Sequence, residues 1–387
     1  MRGIGGTLFR LDYLLGAAIV ACQLLDLQGL TSIFFYATFP VSFALWICAI
    51  AHGFDRTDGL ALATVLLALL HVAANAFLSD ANFSFSYLKK YAMFCNSVIF
   101  LDAVRRVQVS RADYRLLKLL YLSVGVLMLA LCRFRSSQMY LLNGRHTQYL
   151  TLGFTNPNLA ALFLACMIIF LVIAGFREKH ATARLLLLSV AVAEGVFLYR
   201  TESRNALLAV ITFAVLLCFR PRRRRKAGFS RGFLGLMSVA PLLFAGLYMR
   251  VVDAPFFARF FSFATAEGKE LNSRTDIWEP AFRRFASSPV LGAYCQISDG
   301  TGMSQLHNTH VDILVSYGTS VLVLTCVFLY VLMRDLRTEV SDDALAGFIC
   351  VLLLGIGEAA LFSGGLGITL FFGVFLGLKK EKSLQDC

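Results

Sequence analysis

The stretch PNLAALFLACMIIFLVIAGF, Pro157 to Phe176, runs for twenty residues without a charge. Wound as an α-helix it is about 30 Å long, the thickness of a bilayer's hydrocarbon core. Lipid offers no partner to backbone N–H and C=O groups, so a helix is the form such a segment takes. Comparable apolar runs recur along the chain, at 11–29, 31–52, 59–79, 89–104, 115–132, 184–199, 205–219, 232–249, 309–333, 344–363 and 366–378. The expectation is an all-α integral membrane protein of about twelve transmembrane helices, forming one polytopic domain over residues 1–387.

Composition agrees. Hydrophobic residues make up 58% of the chain, charged residues 16%, and the mean hydropathy is +0.70. A soluble domain carries about 25% charge and roughly 45–50% apolar residues, so a soluble enzyme is excluded. The first run contains Gln23 and Asp26 and lacks a small-residue cleavage site, so it reads as a retained helix and not a signal peptide. The net charge of +12 is no pointer to nucleic acid, because much of it sits in short loops that orient helices. Most of the ten cysteines lie inside apolar runs, where cysteine is a small hydrophobe. No CxxC pair or His/Cys cluster suggests a metal.

The basic loops set an orientation. With the N-terminus in the cytoplasm, the run Pro221-Arg-Arg-Arg-Arg-Lys226, the Arg105–Arg111 and Arg177–Arg184 segments, Arg334, Arg337 and the Lys379–Lys382 tail all fall inside, as the positive-inside rule requires. Both termini are then cytoplasmic. Segments 80–88, 133–156, 200–204 and 250–308 fall outside, and the last, between helices nine and ten, is the one long polar loop. Loops of that length usually carry function. The outer segments also hold an unexpected set of arginines: Arg133, Arg135, Arg145, Arg200, Arg204, Arg250, Arg259, Arg274, Arg283 and Arg284. Positive charge is disfavoured there, and the guanidinium fork grips phosphate oxygens as lysine cannot. An outward-facing anion site follows, with phosphate the leading candidate.

Each element near that site also has a plainer reading. Arg204 sits between two apolar runs, where snorkelling or pairing with Glu202 would explain it; Arg200, one turn away, leaves a surplus of positive charge. Ser273-Arg-Thr-Asp-Ile-Trp278 opens a helix-like stretch running on to Ala286, with Ser273, Thr275 or Asp276 as cap, and Trp278 would serve as an interfacial anchor. A phosphate would suit the amides at such a helix start, with Arg274 beside them. Phe285-Ala-Ser-Ser-Pro-Val-Leu-Gly292 reads as the helix end and turn. His307 stands where the loop re-enters the membrane, a natural place for a general base, with His310 one turn on and Asp312 following. These three lack the spacing of a zinc site. Asn156 caps a helix begun by Pro157; Asn158 has no part in that cap and could offer its amide to a sugar or phosphate. Glu194 and Glu358 are intramembrane acids, functional candidates by default, to which the sequence assigns no role. Gly373-Val-Phe-Leu-Gly377 reads as helix packing.

In this order, and on one side, the elements resemble the O-antigen ligase and polymerase superfamily of bacterial membrane glycosyltransferases. Arg204-x3-Leu208 and His307-x10-Gly318 are similar to the pair associated with O-antigen ligases. Gly153-x-x-Asn-Pro-Asn158, and Arg274-x-x-Ile-Trp278 with its later Pro-Val-Leu-Gly, also look like the superfamily. The chain departs from the pattern at His310, where an aromatic or aliphatic residue is commoner. The resemblance implies a GT-C-like, metal-independent, inverting enzyme of the bacterial inner membrane, without a cofactor, its active site facing the periplasm. Its donor would be a glycan on undecaprenyl diphosphate and its acceptor a sugar hydroxyl of lipid A–core, in lipopolysaccharide biosynthesis. His307, Arg204 and Arg274 would be catalytic; Arg200, Asn156, Asn158, Trp278 and His310 would bind substrate. The alternatives are a surface-polysaccharide polymerase using the same donor and, more distantly, a transporter of lipid-linked oligosaccharide.

Overall fold

The computed structural model describes residues 32–51, 53–78, 85–106, 111–132, 138–142, 145–149, 157–201, 203–218, 229–251, 272–293, 306–358 and 362. In chain order the described helices are α1 (Ser32–Ala51), α2 (Arg56–Leu78), α3 (Phe85–Val104), α4 (Arg111–Cys132), α5 (Pro157–Arg177), α6 (Ala181–Arg200) and α7 (Arg204–Cys218). They continue with α8 (Arg231–Val251), α9 (Asn272–Ser287), α10 (Thr309–Glu339) and α11 (Asp342–Leu354). Ten expected spans coincide with helices to within a few residues at most ends; the run at 344–363 ends sooner, its helix stopping at Leu354. The runs at 11–29 and 366–378 lie outside the described residues. Five helical segments are long and apolar enough to cross a membrane: Arg56–Phe77, Ala160–Arg177, Ala181–Arg200, Arg231–Val251 and Thr309–Thr338. Ser42–Ala51 and Arg204–Cys218 are shorter apolar helices.

The all-α expectation takes one correction. Gln138–Leu142 (β1) and Arg145–Tyr149 (β2) pair as an antiparallel hairpin, in register from Gln138 opposite Tyr149 to Leu142 opposite Arg145. The signal was present in the sequence: Asn143-Gly144 separates the strands, the dipeptide best suited to a two-residue hairpin loop.

Two helices form the centre. α5 is apolar all round and is covered by α4, α6, α7 and α11; from Ala160 to Leu171 every side chain is buried. α10 runs beside α2, α8, α9 and α11. Large apolar residues such as Leu66, Leu70, Phe77, Leu185, Val192 and Leu247 point outward instead, the surface a helix presents to lipid.

The bundle has two chemically different ends. At one, Arg105 reaches Asp102 (2.8 Å), Asp55 (2.6 Å) and Asp58 (2.7 Å), tying the end of α3 to the start of α2. Trp46 of α1 donates its indole N–H to the other oxygen of Asp102 (2.9 Å), and Arg106 binds Asp58 as well. Asp55 accepts from the amides of Thr57 and Asp58 while Asp58 accepts from the amide of Asp55, a reciprocal cap for α2. Thr57 adds a hydrogen bond to Asp335 of α10 (2.9 Å). Lys118 with Glu178, and Arg177 with Asp343 and Ser341, close the same end across α4, α5 and α11. The candidate site lies at the other end.

Candidate active site

The site is built around the start of α10. Asn308 caps the helix: its side-chain oxygen accepts from the amides of His310 and Val311, both at 3.0 Å. Its amide nitrogen donates to Pro241 O of α8 (2.9 Å) and Ile356 O (3.1 Å), so this fully buried residue joins α8, α10 and the turn after α11. Thr309 completes the seam, its amide donating to Gly355 O (2.9 Å) and its hydroxyl to Glu358 O (3.0 Å).

His307 stands just ahead of that cap with φ +46°, a left-handed conformation that costs a non-glycine residue of order 1–3 kcal/mol. Nδ1 of its ring lies 3.1 Å from Oε2 of Glu358, whose carboxylate is almost wholly enclosed while the imidazole keeps about a quarter of its surface exposed. Nδ1–H donating to this carboxylate leaves Nε2 as the lone-pair nitrogen, the arrangement a general base needs. Glu358, without a role from sequence alone, is thereby the partner of the histidine. A lone carboxylate in an apolar run was its only signal.

Arg204 opens α7 and is exposed; Arg200, at the end of α6, is exposed too. The neighbour of Arg204, Asn205, donates to Leu354 O (2.8 Å). A Cβ on Gly357 would come within 2.7 Å of the Asn205 side chain, so that side chain packs this closely on the turn only because residue 357 is glycine. The turn at 354–358 therefore touches the start of α7 through Asn205 and holds His307 through Glu358.

α9 starts at Asn272, so Ser273, Thr275 and Asp276 lie inside the first turns and none is the cap the sequence suggested. Arg274 is in that first turn, one turn ahead of Trp278; its side chain is outside the described residues. Trp278 is fully buried, donates its indole N–H to Leu306 O (2.6 Å), and meets Tyr248 of α8 edge-on at 5.6 Å. Ile277, Ala281, Val311 and Val315 complete a small core under α9. Trp278 thus pins the arginine-bearing helix to the residue before His307.

His310 is also fully buried, its Nε2 donating to Ser238 O of α8 (2.7 Å). Asn158 lies in the first turn of α5, half-buried; Asn156 falls outside the described residues. Glu194 sits within α6 against Gly125 of α4, where a Cβ would come within 2.6 Å of its carboxylate, and its side chain bonds to none of the residues named above. On α3, Lys90 reaches Asp312 and Ser316 of α10, both at 2.8 Å. Sequence reasoning did not single out that contact.

Residues 187–326 match the family model described as O-Antigen ligase. No curated protein and no solved structure matches the chain. The matched segment carries Arg200, Arg204, Arg274, Trp278, His307, His310 and Gly318, and the match supports an O-antigen ligase family assignment.

Proposed function

We propose that this protein is a membrane glycosyltransferase that moves a glycan from undecaprenyl diphosphate to a sugar hydroxyl of lipid A–core, at the periplasmic face of the bacterial inner membrane. The observation that carries the reading is the His307–Glu358 pair, set on the same turn that meets Asn205, the neighbour of Arg204. His307 and Arg204 both lie within the matched segment.

The acceptor hydroxyl is a poor nucleophile, and His307 Nε2 takes its proton as the oxygen attacks the anomeric carbon. The new carbon–oxygen bond forms as the bond from that carbon to the diphosphate breaks, and the electron pair leaves on undecaprenyl diphosphate. Attack from the face opposite the leaving group inverts the anomeric centre. Arg204 and Arg274 stabilise the charge growing on the diphosphate, with Arg200 and the first-turn amides of α9 beside them. This division of labour needs no metal ion and no cofactor. Glu358 orients the imidazole, Trp278 and His310 fix the elements around it, and Asn156 and Asn158 are assigned to binding the sugar or phosphate.

A polymerase would use the same donor with a second lipid-linked glycan as acceptor. Deletion of the gene separates the two: loss of a ligase leaves long chains on the lipid carrier. Lipopolysaccharide capped with a single repeat in the deletion strain would mark a polymerase instead. A transporter would move the lipid-linked glycan without forming a glycosidic bond.

A further inference from the structure

α10 is broken at Gly318, which has φ +84° and ψ 176° inside an otherwise continuous helix. A break within a membrane bundle frees backbone groups that lipid cannot satisfy. Here they are met from two directions. Val315 O accepts from the amide of Ala293 (2.8 Å), and the amide of Thr319 donates to Pro289 O (3.0 Å), both through the turn that follows α9. Tyr317 O accepts from Nδ1 of His71 on α2 (2.6 Å). One turn along the same face of α2, Asn75 donates to Leu291 O of that turn (3.1 Å).

The contact between turn and break is backbone against backbone. A Cβ on Gly318 would fall 1.9 Å from Val290 O, and one on Gly292 (φ +78°) would fall 2.6 Å from Gly318 N. α9 is therefore fixed to the first half of α10 at both ends, by Trp278 on Leu306 O and by Gly292 on Gly318. The half-helix between, Thr309–Tyr317, is only about 13 Å long, so a slip at the break reaches His307.

We propose that His71 and Asn75 are positioning residues for the transfer reaction, holding the register between the helix that bears Arg274 and the half-helix that follows His307. The proposal rests on the glycosyltransferase reading above. His71 is buried and touches neither the His307–Glu358 pair nor the start of α7 in any contact described. Its effect runs through the backbone of the break.

The test uses the full chain in nanodiscs, with H71L, N75L, H71N and T64V compared with wild type. The Thr64 hydroxyl donates to Leu60 O within α2, so T64V serves as the control for general damage to that helix. Amide hydrogen exchange is read over 288–293 and 315–320, and kcat and KM are read with a lipid-diphosphate glycan and a lipid A–core acceptor. H71L and N75L should speed exchange in both segments and lower kcat by about 10- to 100-fold, with KM within about twofold. H71N keeps a donor at the Nδ1 position and should recover most of the lost turnover, and T64V should change neither readout. Wild-type kcat in H71L and N75L, faster exchange with undiminished kcat, or H71N no better than H71L would each overturn the proposal. If H71L does not fold, N75L gives the same reading. A wild-type protein that forms no product overturns the glycosyltransferase reading itself, before any variant is compared.

Discussion

Oε2 of Glu358 lies 3.1 Å from Nδ1 of His307, across 51 residues of chain. The carboxylate is enclosed and the imidazole is part-exposed; with Nδ1–H donating to Glu358, Nε2 is the nitrogen left with a lone pair. H307A should lower kcat by about 10²–10⁴-fold, and E358A should lower it by a smaller but clear factor, about tenfold or more. The double variant should be no worse than H307A alone, because the two act as a unit. Steady-state kinetics on the three proteins check this, and additive losses would show that Glu358 acts separately.

Gly318 and Gly292 admit no side chain. G318A places a methyl group on Val290 O and should cost at least about 2 kcal/mol, from the clash and the left-handed backbone together. Gly195 in α6 has nothing within 4 Å of a Cβ, so G195A should be neutral or stabilise by about 0.5–1 kcal/mol. Thermal unfolding in one detergent ranks the two, and equal melting temperatures would contradict the interlock.

Arg105 satisfies three carboxylates at the far end of the bundle, two of them buried. R105L leaves those acids without their main partner and should destabilise the protein by about 3–5 kcal/mol. The loss should appear as a lower melting temperature from a change far from the candidate site. Unchanged stability would mean that Arg106 alone neutralises the cluster.

Acid should weaken the same end. Burial resists ionisation of Asp55, but hydrogen bonds from Arg105 and the Asp58 amide, with the charges of Arg105 and Arg106, bring its pKa from 3.8 down to about 2. The Lys118 hydrogen bond, opposed by burial and helped by the His180 and Lys179 amides and the charge of Lys118, brings Glu178 from 4.5 down to about 2. A carboxyl held below its unfolded value stabilises the fold above that value, and the contribution is lost as pH falls through the folded pKa. Melting temperature should therefore hold above about pH 5 and fall between about pH 4 and 2. D55N should flatten part of that fall, and an identical acid profile in the variant would contradict the assignment.

The helices were legible because lipid imposes one requirement, about twenty apolar residues per crossing, and the chain meets it repeatedly. Pro157–Arg177 could be read nearly to the residue. The hairpin at 138–149 escapes that rule although Asn143-Gly144 marks it, because two five-residue strands carry no long apolar run. Arg204, Arg274 and His307 stood out as polar residues at helix boundaries. Of their supports, Glu358 showed only as an intramembrane acid, while Asn205, His71 and Asn75 did not stand out, because they act through backbone carbonyls far away in sequence. Trp278 and His310, expected to touch substrate, are both fully buried. Residue type suggested the contact, and only packing could show how deeply each lies.

If this chain joins a lipid-diphosphate glycan to lipid A–core through His307, purified protein in liposomes containing both lipids should form product without nucleotide and with EDTA present. Wild type should yield glycosylated lipid A–core, H307A should lose about 10²–10⁴-fold in rate, and R204A and R274A should turn over more slowly. No product from wild type, or H307A turning over like wild type, would contradict the assignment.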